Sequence, residues 1–147
     1  MAERPFRLVH EIVPRFRDTD AMGHVNNAVY LTYLEVARQA YWERTGGLRD
    51  FRDIPFILAR VECDFRSQAR VHETLAVGIR CEWIGTKSFA FAYEIRETST
   101  NRLVAEATSI LVGYDYEKQR SIPVPESLRR SMEAFEGRNL ARANHAS

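Results

Sequence analysis

Between residues 28 and 44 the apolar positions fall into two interleaved rows. Val29, Tyr33, Val36 and Ala40 are spaced by 4, 3 and 4, and Tyr30, Leu34, Ala37 and Tyr41 repeat that spacing. A 3.6-residue period puts both rows on one side of a helix, where together they cover more than half of its circumference. Such a helix is predicted to be mostly buried. Asn26 or Asn27 can cap its start, Gly46-Gly47 can end it, and Arg44 suits the negative end of its dipole.

The rest of the chain changes period from 3.6 to 2. Val61, Cys63 and Phe65 alternate with Glu62, Asp64 and Arg66. Leu75, Val77, Ile79, Cys81 and Trp83 alternate with smaller or polar residues, and Phe89, Phe91, Tyr93 and Ile95 do the same. A further strand covers residues 103–114. Gly85-Thr86-Lys87 and Thr98 to Asn101 read as hairpin turns. An earlier strand falls within residues 6–17, bent near Pro14, which cannot donate to a ladder. Alternation of this length predicts antiparallel strands with one buried face. The row Phe89, Phe91, Tyr93 is expected in the core rather than in an aromatic pocket.

The order is strand, long helix, then four long strands. It predicts an α+β fold in which a curved antiparallel sheet of about five strands wraps one central helix. Its edge strands need cover, so self-association is expected. Pro125 suits the first position of a short C-terminal helix, about residues 125–136, with Leu128, Met132 and Phe135 as a narrow apolar stripe. From Gly137 the tail to residue 147 is polar and expected to be mobile. The organisation predicted is one domain over residues 1–147, with its core at about 8–125.

Composition narrows the function classes. Of 147 residues 45% are apolar and 28% charged, with a net charge of +1, so no basic face announces a nucleic-acid partner. No run approaches 18 consecutive apolar residues, so no membrane span is expected, and the N-terminal Met-Ala-Glu-Arg-Pro-Phe has no apolar signal region. Cys63 and Cys81 suit buried thiols rather than a disulfide framework. A cytoplasmic location follows as the expectation. His10, His24, His72 and His145 lack metal-ligand spacing, and nucleophile-elbow, Walker and dinucleotide-binding motifs are absent.

Polarity is concentrated in one place, RFRDTDAMGHVNN, directly before the long helix. The first N–H groups of a helix lack partners within it and favour negative charge. A substrate carbonyl bound there gains stabilisation as its oxygen becomes an oxyanion. Gly23 permits close approach of the backbone, and Asp20, seven residues before Asn27, can serve as nucleophile or as base toward water. The same residues are good turn and cap formers. Asp18 competes with Asp20, since two residues apart on extended chain they face the same side.

Asp20-Ala-Met-Gly23-His24-Val25-Asn26-Asn27-Ala-Val-Tyr30 resembles the D-x-x-G-H-V-N-N-x-x-Y signature of the 4-hydroxybenzoyl-CoA thioesterase family, a branch of the hotdog-fold acyl-CoA thioesterases. Residues 30–38 resemble that family's central helix, and DFRSQARVHETLAV, GTKSFAFAYEI and LVAEATSILVGYD resemble its later sheet segments. The resemblance implies the hotdog fold, dimers joined edge to edge and often paired into tetramers, and active sites at the dimer interface. It implies that Asp20 is the catalytic carboxylate and that the Asn27 backbone N–H polarises the thioester carbonyl. Gly23, His24, Val25, Asn26 and Tyr30 would line the substrate site. Glu35 would help shape it, Lys87 would meet the nucleotide end of CoA, and Ser88 beside it is a further candidate contact. Gln68-Ala69 and Glu73 stand where many members carry Pro-Ala and Asp, in a loop where little effect on chemistry is expected.

The resulting expectation is hydrolysis of an acyl-CoA to a carboxylic acid and CoA, with no cofactor beyond the CoA of the substrate, no metal, and a homodimer or homotetramer. Two alternatives are a hotdog hydratase or dehydratase acting on enoyl or hydroxyacyl thioesters, and a non-catalytic acyl-CoA-binding protein.

Overall fold

A computed structural model describes residues 5–46 and 55–142. Strand β1 (Leu8–Ile12) is followed by a single 3-10 turn, Phe16–Asp18, and helix α1 (Asn27–Thr45). Strands β2 (Phe56–Phe65), β3 (Leu75–Ile84), β4 (Ser88–Glu97) and β5 (Arg102–Asp115) come next. The two-residue strand β6 (Arg120–Ser121) and helix α2 (Glu126–Glu136) complete the order. The six strands form one sheet in the order β1-β3-β4-β5-β2, with β6 added to β5. The four long strands and both hairpin turns lie where the period-2 pattern predicts them. The first strand is shorter than predicted, because chain that bends at Pro14 enters the 3-10 turn instead of extending to residue 17.

Tertiary contacts divide the chain into two units. The first comprises residues 1–41, 63–80 and 93–107. Within it β1 pairs antiparallel with the first half of β3, from Leu8 opposite Ile79 to Ile12 opposite Leu75. Its core takes the α1 row Tyr30, Leu34, Ala37 and Tyr41 together with Tyr33. The row of Tyr33 fares differently: its other members Val29, Val36 and Ala40 are only half-buried, so the buried stripe of α1 is narrower than the spacing implied. Arg38 donates to the buried Tyr93 hydroxyl at 3.1 Å.

The second unit comprises residues 42–62, 81–92 and 108–147. Its centre is aromatic. The Trp42 ring lies 4.7 Å from Phe56, 5.7 Å from Phe89 and 5.5 Å from Phe91, mostly edge to face. Such pairs contribute about 0.5–1.5 kcal/mol beyond burial of area. At the end of α1 the Gly46 N–H donates to Trp42 O; Gly47 lies outside the described residues. Pro125 caps α2 rather than opening its first turn, and Gly137 ends the helix in the left-handed region at φ 70°.

The chain after Gly137 departs from the mobile tail expected of it. Beyond the ladder with β1, β3 would present unpaired backbone groups, which is costly when buried. Residues 136–142 satisfy them. The Glu136 carboxylate accepts the Cys81 N–H at 2.9 Å, the Arg138 guanidinium donates to Glu82 O at 2.7 Å, and Ile84 N–H donates to Leu140 O at 2.7 Å. Leu140 is fully buried, and Arg142 stacks on Trp83 at 4.1 Å. Polar composition here reflects side chains that complete a sheet edge. Residues 143–147 lie outside the described residues.

Strand β2 also differs from expectation. Phe65 and Leu58 are 45% and 44% exposed, and Val61 and Cys63 are half-buried. Among the described residues β2 ends the sheet order, and cover on its face is partial: Phe56 is buried against Trp42, while Phe65 touches Tyr30 and stays partly exposed.

Candidate active site

The stretch before α1 folds as a miniature hairpin within the first unit. It is anchored by the 3-10 turn. The Asp18 carboxylate accepts the Arg15 N–H at 2.9 Å and the Arg15 guanidinium at 2.9 and 3.2 Å, which closes the turn on itself. The two arms then run antiparallel: Asn26 N–H donates to Asp18 O, Thr19 bridges Val25, and Asp20 N–H donates to His24 O at 2.8 Å. Gly23 turns the tip at φ 78°, where an added Cβ would meet no atom; the backbone angle alone selects glycine.

Asp20 sits at the tip of this hairpin and is exposed. Its Oδ1 accepts the Met22 N–H at 2.8 Å and the His24 N–H at 3.3 Å. Two main-chain donors on one oxygen orient the carboxylate. Among the described residues Oδ2 has no partner. Asp18 behaves in the opposite way. It is 3% exposed and its Oδ2 accepts the Tyr33 hydroxyl at 2.8 Å. Burial pushes its pKa up, but the hydrogen bonds from Arg15 and Tyr33 outweigh burial and hold it below the ordinary carboxylate value. Burial therefore separates the two aspartates: Asp18 is enclosed with Arg15 and Tyr33 as its partners, whereas Asp20 is exposed at the tip.

Asn26 is the cap residue of α1. Its Oδ1 accepts the Ala28 N–H at 3.0 Å and its main-chain oxygen accepts the Val29 N–H at 2.8 Å. That leaves the Asn27 N–H without an acceptor among the described residues, at the electropositive end of a 19-residue helix. Asn27 and Asn26 are both exposed. Asp20 pairs with His24, and three residues of chain, about 10 Å when extended, run from His24 to Asn27.

A second segment braces the hairpin. Val25 N–H donates to Ala69 O, and His24 bridges Arg70. Ala69 N–H in turn donates to the buried Tyr30 hydroxyl at 3.1 Å. Arg102 fixes this loop through Glu73 at 3.0 and 3.1 Å and through Gln68 O at 2.8 Å. The Arg102 hydrogen bonds hold Glu73 below the ordinary carboxylate value. Positions 68, 69 and 73 thus have a mechanical part that loop position alone concealed.

Val25 is buried and Tyr30 is buried with its hydroxyl engaged by Ala69, so both pack as supports of the hairpin. His24 is half-buried and contributes both main-chain groups to the ladder. Glu35 is exposed on α1. Lys87 and Ser88 belong to the second unit. There the Lys87 Nζ lies 3.4 Å from Ser121 Oγ, and Ser88 O accepts the Gly85 N–H. Phe89, Phe91 and Tyr93 are buried, as the strand pattern predicted. Asp18, Tyr33 and Ala69 are further supports of the hairpin. The Arg15-x-x-Asp18 spacing is a local sign of the turn, but nothing local links Asp18 to Tyr33. Among the described residues no group of three or more His, Cys, Asp and Glu is placed to hold a metal ion, and no helix is long and apolar enough to cross a membrane.

The strand order and the loop entering α1 are those of a hotdog-fold, thioesterase-type protein. A thioesterase of Thermus thermophilus, solved with coenzyme A and zinc, has this architecture: TM-score 0.83, 32% identity, 92% of this chain and 98% of that one. The chain belongs to the thioesterase-like superfamily, a family of thioester hydrolases, which matches residues 14–132. The long-chain acyl-CoA thioesterase FadM of Escherichia coli K12 is 26% identical over 119 residues, spanning 78% of this chain and 88% of FadM. The YsmA protein of Bacillus subtilis 168 is 25% identical over 88 residues, and the match spans 60% of either protein.

Proposed function

We propose that this protein hydrolyses acyl-CoA thioesters, with the Asn27 N–H and Asp20 as the reacting groups. The observation that carries the reading is the pairing of an acceptor-free helix-start amide with an oriented, exposed carboxylate on the hairpin leading into it. The thioester oxygen accepts the Asn27 N–H, and the helix end stabilises the charge that grows on that oxygen. Asp20 Oδ2 takes a proton from a water that adds to the carbonyl carbon. The carbon–sulfur bond then breaks, and CoA leaves as a thiolate that picks up a proton.

The acyl-CoA substrate is supported by FadM and by the CoA-bound Thermus relative. CoA enters as part of the substrate and no further cofactor is invoked. Lys87 is an exposed cation suited to a CoA phosphate, and a homodimer formed at β2 would cover the exposed Leu58 and Phe65 of that edge. The reducing cytoplasm suits Cys63 and Cys81, which form no disulfide.

The test is steady-state hydrolysis of acyl-CoAs of graded chain length, aliphatic and aromatic, by the wild-type chain and Asp20→Asn. Loss of about 10³-fold or more in kcat is expected from removing the base. Wild-type turnover in Asp20→Asn would end this assignment.

A further inference from the structure

We propose that Asp18 is a positioning residue for hydrolysis, tying the Asp20 hairpin to α1 through Tyr33. The proposal rests on the assignment of Asp20 and Asn27 made above, and goes beyond it to what holds their separation constant.

Three observations carry it. First, Asp18 cannot itself be the base. Its carboxylate is 3% exposed, with Oδ1 occupied by the Arg15 guanidinium and Oδ2 by the Arg15 N–H and the Tyr33 hydroxyl. Second, the same residue acts through its main chain. Asp18 O accepts the N–H of Asn26, the residue that caps α1 and precedes the reacting amide. One residue therefore governs both arms of the hairpin, two positions before Asp20 and one bond away from the helix cap. Third, its side-chain bonds differ in reach. Those from Arg15 are local, three residues back, and close the 3-10 turn. The bond from Tyr33 spans 15 residues and joins the turn to the second turn of α1. Cutting the Tyr33 hydroxyl leaves the turn closed but removes that tie to the helix.

The expectation is geometric. A carboxylate and an oxyanion donor work together only while their spacing is held, and misplacement by about 1 Å can cost about 10²-fold in rate. Tyr33→Phe keeps the ring that packs edge to face on Tyr30, 6.0 Å away, and removes only the donor. It is expected to lower kcat about tenfold while KM stays within about twofold, since the loss falls on the transition state. Asp18→Asn, which also loses the charge facing Arg15, is expected to lower kcat about 10²-fold.

The experiment measures kcat and KM on the best acyl-CoA, well below each variant's unfolding temperature, for wild type, Tyr33→Phe, Asp18→Asn and Asp20→Asn. Leu140→Ala, in the second unit, is the control for lost stability alone and is expected to keep wild-type kcat. Folded Tyr33→Phe with wild-type kcat overturns the positioning role, and so does a loss of kcat in Leu140→Ala equal to its own. If Asp18→Asn does not fold, Tyr33→Phe decides. A wild-type-like Asp20→Asn overturns the catalytic assignment and with it the premise of the positioning role, whereas a wild-type-like Tyr33→Phe beside an inactive Asp20→Asn overturns the positioning role alone.

Discussion

Replacing Tyr30 by Phe removes one oxygen atom and separates two roles for that residue. Tyr30 is 2% exposed and its hydroxyl accepts the N–H of Ala69, which is 0% exposed. The substitution keeps the ring against Phe65, 5.5 Å away, so it opens no sizeable cavity. It leaves a buried N–H without an acceptor, which costs about 1–3 kcal/mol. Near this chain length each kcal/mol is worth about 4 °C in Tm, so a central cost of about 2 kcal/mol lowers Tm by about 8 °C. Tyr116→Phe is the internal comparison. That hydroxyl donates to Phe56 O at 2.8 Å from a side chain 57% exposed, so water replaces it and the change stays below about 1 kcal/mol. Thermal unfolding followed by circular dichroism gives both numbers, and acyl-CoA kinetics on the same samples give KM. A support for the Ala69 segment predicts a large fall in Tm with KM close to wild type. Unchanged Tm with a KM raised tenfold would refute the reasoning and make Tyr30 a substrate contact.

Glu97 carries a pH prediction. Hydrogen bonds from the Ser99 N–H, then the Ser99 and Thr100 hydroxyls, hold its pKa down at about 2 from an ordinary 4.5. Between those values the unfolded chain binds the proton more readily than the folded one, so stability rises with pH across the window and is lost as pH falls through it. Glu97→Gln is expected to flatten the dependence of urea midpoint on pH between about 4.5 and 2; a slope identical to wild type there refutes the role. Leu140→Ala, at a fully buried side chain, is expected to cost about 2–5 kcal/mol in chemical denaturation. A cost below about 0.5 kcal/mol, the level of a surface change, would mean that the tail does not close the edge of β3.

Local rules made much of this protein legible. The period of α1, the alternation of β3 to β5 and their turns are set by side-chain direction along a helix or strand, which needs no distant contact. The signature from Asp20 to Tyr30 also reads locally, because a cap and a glycine turn are built from near neighbours. Tertiary structure decided what lies across the chain. The sequence offered two aspartates of one chemical type; Tyr33, 15 residues on, buries Asp18, while Asp20 at the tip stays exposed. The tail after Gly137 looked polar and loose until β3 supplied backbone groups for it to bond. The face of β2 looked buried by its alternation, yet alternation records which residues share a side and not what covers it. Periodicity is a property of the backbone, whereas burial and hydrogen-bond partners belong to whatever the rest of the chain brings alongside.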